Sequence, residues 1–355
     1  MNTTRWMHRL ACGALALAAV GCGRQGAADA GSKEQAVLHV YTWADYVKPE
    51  LVERFEQENK CRVVIDTFDS NEAMYAKLKA GAAGYDVIFP SSYMVKLMHD
   101  QGMLQALDRT QLPNLAHVDP DYLKIALDPT MDHSVPYMLT YTGIAYLKSR
   151  VLNPEPSWTM FDRTDLGGRV TMLNDMRETI GAALKFLGYS LNTTNDQELE
   201  EAKDVVLRWR KNLAKFENEQ YKSGIASAEF LLVHGYSGDI LQVQEENEDI
   251  VFVLPKEGFS ISCDDMVIPA SAKQVALAHA FINFLQDPAV AAENCEFISY
   301  LCPNQDCYAL LPEEMREDPS VFPPAELRAK GEVIADLGEA QAKYIKIWDQ
   351  IKGGE

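Results

Sequence analysis

Carboxylates and aromatic side chains recur together where the hydrophobic runs of this chain end. Trp43, Asp45 and Tyr46 follow the apolar stretch 37–41. Ser91, Ser92 and Tyr93 follow 86–90, Asp175, Arg177 and Glu178 follow 168–173, and Tyr236 follows 228–234. Asp264 and Asp265 stand beside the run 266–269, and Tyr300 lies beyond the segment opened by Pro288. Arg177 is the single cation of the set. Such a set suits an organic cation. Carboxylates pair with ammonium groups through charge-assisted hydrogen bonds. Aromatic faces pack on methylenes and attract the adjacent charge, at roughly 0.5–2 kcal/mol per contact. A protonated alkylamine, charged at its ends and apolar between, has this character. An anion site would instead use Arg, Lys, Gly-rich turns or free helix N-termini. Taken singly, each residue has an ordinary role: a Trp or Tyr after a strand packs a core, Asp45 and Asp175 suit helix N-caps, and Arg177 with Glu178 suits a surface pair. The joint pattern is what points to a ligand.

Placing these residues at strand ends requires an alternation of strands and helices. Residues 37–41, 62–65 and 86–90 read as strands, separated by a helix opened by Pro49 with Leu51, Val52 and Phe55 on one face and a short helix over 71–79. This β-α-β-α-β order predicts a parallel sheet with right-handed crossovers. A second unit begins near Thr140, with strands at 168–173, 228–234, 250–254 and 266–269. Helices are expected at 176–187 and 198–216, the latter with Asn195 and Glu198 as a capping box. Ser271 is expected to cap a helix built on Val275, Ala278, Phe281, Ile282 and Leu285, Asp287-Pro288 to stop it and start the next, and 326–352 to be helical. The chain has 355 residues, a length for two domains, with 47% hydrophobic residues to build their cores. Open parallel sheets bind ligands at the carboxyl ends of their strands, which is where the set above falls.

The N-terminus reads as a targeting segment. Arg5, His8 and Arg9 precede an uncharged stretch from Leu10 to Gly21, too short for a membrane span and suited to a secretory leader. It ends in Ala19-Val20-Gly21-Cys22, which resembles a bacterial lipoprotein cleavage box with Cys22 as the lipidated residue; the alternative is an ordinary leader cut between Ala27 and Ala30. Residues 23–36 have the small and charged composition of a flexible tether. The formal net charge is −19, and loss of Arg5 and Arg9 with the leader deepens it. Such a field repels nucleic acid and attracts cations. Of the cysteines, Cys61, Cys263, Cys295, Cys302 and Cys307 lie beyond Cys22. Cys302 and Cys307 are spaced to close a small loop in an oxidising compartment, and no nearby His supports a zinc site.

Catalysis finds little support. Gly235-Tyr236-Ser237-Gly238 suggests a nucleophile turn but lacks the Gly-x-Ser-x-Gly spacing. No His falls in a base motif, and no metal or phosphate-binding motif appears. No enzyme activity and no cofactor are expected.

Several stretches together resemble the bacterial periplasmic spermidine/putrescine-binding proteins of ABC transporters: YTWADYV at 41–47, SNEAMYAKLK at 70–79, VIFPSSY at 87–93, DMRE at 175–178, LGYSLNTT at 187–194, PKEG at 255–258 and INFL at 282–285. The resemblance spans about residues 37–340. It implies an α/β, two-lobed, type II-like periplasmic-binding-protein fold, with parallel-sheet lobes joined by crossover strands around a ligand cleft. The division expected is a lipoprotein signal peptide at 1–21, a tether at 22–36, one lobe from 37–139 plus 260–310, and a second from 140–259 plus 311–355. By position, the resemblance implies that Trp43, Tyr46 and Tyr93 wall the cleft and that Asp175 and Glu178 bind amines. Tyr236 stands where the family often has Trp, Asp264 serves a deeply bound ammonium, and Tyr300 closes the aromatic box; Asp45 and Ser92 complete the candidate set. Two departures, Ser262 for a Trp and Ile334 for a polar Gln, leave the ligand's length open between diamine and triamine. The implied partners are a polyamine, the membrane permease of an ABC transporter and a membrane held through the lipid anchor, with no nucleic acid. The alternative ligands on the same fold are a thiamine-like cation, an amino acid or ferric iron.

Overall fold

The computed structural model describes residues 35–353. The leader, the lipidation candidate Cys22 and the tether up to residue 34 lie outside the described residues. Among the described residues, short runs rich in β-branched and aromatic residues form ten strands: β1 Val37–Thr42, β2 Arg62–Thr67, β3 Val87–Ile88, β4 Ser134–Leu147, β5 Val170–Met172, β6 Leu213–Phe216, β7 Leu232–Tyr236, β8 Ile250–Val253, β9 Phe259–Val267 and β10 Gly331–Val333. Their order is β2-β1-β3-β9-β4-β7-β5-β6, with β10 beside β9 and β8 beside β4. β1 runs parallel to β2 and β3, and β5 runs parallel to β6 and β7, as the β-α alternation predicts. β9 is antiparallel to β3 and β4, and β4 is antiparallel to β7 and β8. The sheets are therefore mixed where parallel lobes were expected, because these two long strands return directly and have no helical crossover to reverse them.

β4 links two cores. Its residues from Ser134 to Tyr141 pair with β9, and those from Thr142 to Leu147 pair with β7 and β8; all 14 are buried. The first lobe buries Leu38, Val40, Phe55, Phe89, Tyr137 and Phe281 on one sheet face and Tyr41, Met74, Ile88 and Met98 on the other. The alternation of Val40 with Tyr41 is the period-two pattern of a strand covered on both sides. The second lobe buries Ile144, Trp158, Phe161, Ile180, Trp209 and Tyr344. Each such side chain contributes roughly 1.5–3 kcal/mol by leaving water, so each lobe has its own source of stability. Leu311 and Val321 pack in the first lobe's core, so that lobe takes up chain beyond residue 310 that was assigned to the second.

Helix ends follow local chemistry. Pro49 opens Pro49–Asn59, and Lys60 closes it at φ 51°. Asp175 caps Met176–Leu187 by accepting from the Arg177 and Glu178 amides, and Gly188 ends it at φ 82°. Asp287 caps Pro288–Ile298. Four expectations fail locally. Ser271 caps nothing; Val275–Leu285 begins after Gln274, and Asp86 accepts from the Lys273 and Gln274 amides at 2.9 Å instead. The helix expected over 198–216 runs as Asp196–Arg210 and gives way to β6, with the Asn212 side chain held by the Phe161 carbonyl at 2.9 Å. Asn195 does cap it, but Glu198 bonds Thr193 rather than completing a capping box. The tail expected to be helical over 326–352 contains β10. A Cβ on Gly331 would stand 2.7 Å from the Ile261 side chain, and this close approach of strand to strand interrupts the helix.

The cysteines at 61, 263, 295, 302 and 307 are buried free thiols. Cys302 and Cys307 do not close the small loop expected of them; the Cys307 thiol donates to the Cys302 carbonyl at 4.0 Å, and Cys295 Sγ accepts from the Cys302 amide at 3.1 Å.

Candidate functional site

The two lobes face each other across a cavity of ≈ 490 Å³. Trp43, Asp45, Tyr46, Tyr93, Asp175, Glu178, Tyr236, Asp264 and Tyr300 all line it. Ser92 does not. Its hydroxyl donates to the Cys263 carbonyl at 3.0 Å behind the wall, and the preceding Ser91 faces the cavity. The two serines sit at the start of Ser92–Asp100, where one residue of register decides which is exposed to the site.

Asp264 lies on β9, on the first lobe's side of the cavity. Ser91 Oγ donates to its Oδ1 at 2.5 Å and Tyr46 Oη to its Oδ2 at 2.7 Å. Both donors are themselves held: Asn71 Nδ2 donates to Ser91 Oγ at 3.0 Å, and Tyr137 Oη donates to the Tyr46 carbonyl at 2.6 Å. Burial raises the Asp264 carboxyl to about 6, against the pull of those two hydrogen bonds. Neighbouring Asp265 points the other way along the strand, into a buried contact with Ser134 Oγ at 3.0 Å, and does not line the cavity.

A second acidic station comes from the other lobe. Glu178 projects from the first turn of Met176–Leu187, so the Asp175 cap sets its place. It accepts from Thr142 Oγ1 at 2.8 Å, from Ser262 Oγ at 3.3 Å and from Ser260 Oγ. Burial first and Asp175 second push its pKa up to about 7. Asp175 is raised by burial too. Glu72, across the cleft, is raised by burial and then by Asp175, and accepts from Tyr93 Oη at 3.3 Å. Arg177 is not paired on the surface with Glu178. Its guanidinium is buried, donating to Asn192 Oδ1 at 2.7 Å and the Ala335 carbonyl at 2.8 Å and lying 5.0 Å from the Tyr344 ring centroid.

Aromatic walls join the stations. Tyr46 meets Tyr300 edge-on with centroids 6.0 Å apart, and Trp43 packs on Phe68 at 4.4 Å. Tyr236 ends β7, and the next helix, Ser237–Glu246, has as its second residue a glycine against which Tyr300 lies: a Cβ at Gly238 would be 2.5 Å from the ring. Asp45 is exposed, in a turn at φ 54° on the rim, and is not the N-cap of the following helix, a place Lys48 takes. Ser262 and Ile334 both line the cavity, so both departures from the family pattern fall in the site.

Sequence reasoning missed Asn71, Asp239, Lys222 and Gln242, and took Ser92 into the candidate set where Ser91 faces the cavity. Asp239 directly follows the Gly235–Gly238 stretch that was weighed as a nucleophile turn, and its acidic side chain three residues after Tyr236 was the available signal. That stretch has no catalytic geometry. Ser237 Oγ accepts from the Tyr141 amide at 3.3 Å, and His234, in the core against Trp158, is pushed down to about 3 by burial and stays neutral. Among the described residues no cluster of His, Cys, Asp and Glu is arranged to hold a metal ion.

Residues 50–323 match the family model of the bacterial extracellular solute-binding proteins. The chain is 35% identical over 350 residues to the spermidine/putrescine-binding periplasmic protein of Salmonella typhimurium, covering 98% of each. It is 33% identical to the putrescine-binding periplasmic protein SpuD of Pseudomonas aeruginosa, covering 96% of this chain and 97% of that one. Among solved structures it resembles the TpPotD lipoprotein of Treponema pallidum, at 34% identity and a TM-score of 0.79 over 89% of this chain and 99% of that one. It also resembles the spermidine/putrescine substrate-binding protein PotD of Streptococcus pneumoniae, at 33% identity and 0.79 over 90% and 99%.

Proposed function

The chain belongs to the bacterial extracellular solute-binding proteins, and we propose that within that family it captures a polyamine, putrescine or spermidine, outside the cytoplasm and delivers it to the membrane permease of an ABC transporter. The observation that carries this reading is Asp264: a half-buried carboxylate facing the cavity, satisfied only by neutral hydroxyls, with no lysine or arginine paired to it among the described residues, which closure of the cleft on a ligand buries further. A buried carboxylate without a counter-ion is costly, and a ligand ammonium is the partner that removes the cost. The Asp175–Glu178 station offers the second amine its partner, and the tyrosines pack on the methylenes between. An amino acid would need a free cation for its carboxylate, and Arg177 is already engaged by Asn192 and Ala335 while Lys222 is engaged by Asp239 and Gln242. Capture and release fit hinge closure of the two lobes. The role is binding and transport, with no chemical step.

Calorimetric titration of the domain from Gly23 onward with putrescine, spermidine and an amino-acid control tests this. The expected result is binding of a polyamine at about 10 μM or tighter, roughly −7 kcal/mol, and none of the amino acid; heat from the amino acid alone would overturn it. Anchoring through Cys22 is part of the proposal. Cys22→Ala should move the protein from the membrane fraction to the soluble one, and an unchanged distribution would remove the anchor from the account.

A further inference from the structure

The cavity wall holds a third carboxylate, and it is already paired. Tyr221 Oη donates to Asp239 Oδ2 at 2.5 Å, while Lys222 Nζ stands 3.6 Å from Asp239 Oδ1 and donates to Gln242 Oε1 at 3.0 Å. Lys222, Asp239 and Gln242 all line the cavity. Gln242 Nε2 donates to the Ile298 carbonyl at 2.8 Å, which ties this corner of the second lobe to the end of the helix preceding Tyr300 in the first. The other stations differ. Asp264 has no cation, and the Glu72, Asp175 and Glu178 carboxylates share one guanidinium that hydrogen-bonds elsewhere.

The geometry points to Lys222 as a built-in ammonium that occupies the Asp239 station, so that the cleft accepts a diamine spanning Asp264 and the Asp175–Glu178 station and discriminates against a triamine. This rests on the polyamine reading of the same cavity. An incoming third ammonium that reaches Asp239 must displace Lys222 or share its carboxylate, and it must disturb the Gln242–Ile298 bond that Lys222 supports. The Lys222–Asp239 pair is partly open to solvent, with side-chain exposures of 27% and 21%, so its own attraction stabilises the fold little. The discrimination comes from repulsion: a like charge placed in a closing site is the repulsive element by which binding proteins reject a near-cognate ligand. A diamine held at the other two stations does not meet it.

The test is calorimetric titration of wild type, Lys222→Met and Lys222→Arg with putrescine and spermidine, with thermal melting of each ligand-free protein to confirm folding. Wild type should prefer putrescine. Lys222→Met, which keeps the stem and removes the charge, should shift the ratio of the two dissociation constants toward spermidine by about tenfold, while Lys222→Arg keeps the wild-type ratio. An unchanged ratio in Lys222→Met, an equal loss of both ligands in a folded variant, or a wild-type preference for spermidine would each overturn the inference while leaving polyamine binding in place. Absence of binding by wild type to either amine would overturn the polyamine reading and this inference with it.

Discussion

Tyr46 donates its phenolic proton to Asp264 Oδ2 at 2.7 Å, from the loop after the first strand to the ninth strand. The bond fixes the carboxylate without neutralising it, and burial keeps the Tyr46 phenol protonated, its pKa well above the usual phenolic value. The Asp264 station therefore presents an oriented negative charge with no lysine or arginine paired to it among the described residues.

Replacing that carboxylate separates charge from shape. Asp264→Ala should weaken polyamine binding by about 2–5 kcal/mol, because the ammonium is left buried and unpaired. Asp264→Asn keeps hydrogen-bonding capacity toward Tyr46 and Ser91 yet should lose a similar amount. Its ligand-free form should melt at or above the wild-type temperature, since an uncompensated buried charge has been removed. Titration and thermal melting of the two variants check both halves; a fall in stability for Asn as large as for Ala would show that the carboxylate holds the fold rather than the ligand.

Contact between the lobes depends on a missing side chain. Tyr300 lies where a Cβ at Gly238 would be 2.5 Å away, and the two residues sit on opposite sides of the cleft. Gly238→Val should cost about 1–3 kcal/mol, the usual range for forcing extra atoms into a packed contact. The cost should fall on closure, reducing affinity roughly 5- to 150-fold, rather than on the stability of either lobe. Small-angle scattering on adding ligand should show compaction in wild type and less in the variant. Equal compaction with lowered melting temperature would place the strain inside a lobe instead.

The thiols give a separate check on the packing. With Cys61, Cys263, Cys295, Cys302 and Cys307 all buried and free, a thiol reagent should label the folded domain from Gly23 onward slowly and reach all five after unfolding. A deficit of two after unfolding would report a disulfide and overturn the free-thiol packing.

What the sequence made legible follows from which forces are local. Trp43, Tyr93, Asp175 and Glu178 could be placed because they follow strands of parallel β-α units, and Asp175 also carries a local capping signal. Asp264 sits beside Asp265 within an antiparallel strand, where the flanking apolar run marks both; the family resemblance chose between them. Ser91 and Ser92 are adjacent hydroxyls, and only the tertiary bond to Asp264 distinguishes them. Lys222 and Asp239 belong to successive helices that meet through a side-chain pair, and no spacing within either helix announces that contact. The sixth and tenth strands were read as helix because their partners are distant: Leu213 pairs with Val170, and Gly331 with Phe259.

Proton linkage gives the last prediction its sign. In the ligand-free cleft Asp264 stands at about 6 and Glu178 at about 7, burial being the main cause for both. A bound ammonium favours the ionised carboxylates and lowers both values, so binding releases protons between about pH 6 and pH 7. Affinity should fall as the pH drops through 7 and then 6, approaching about tenfold per pH unit for each proton that must be displaced. The ligand-free protein responds oppositely. Folded-state carboxyl values raised above their unfolded values mean that the native state binds protons more readily, so these two groups add stability as the pH falls from above 7 toward the unfolded carboxyl range near 4. Titrations in two buffers of different ionisation enthalpy would count the protons released, and melting at the same pH values would read the ligand-free side. A dissociation constant flat across this range, with no buffer-dependent heat, would mean that both carboxylates are already ionised before the ligand arrives and that the cleft bears the full cost of holding them charged.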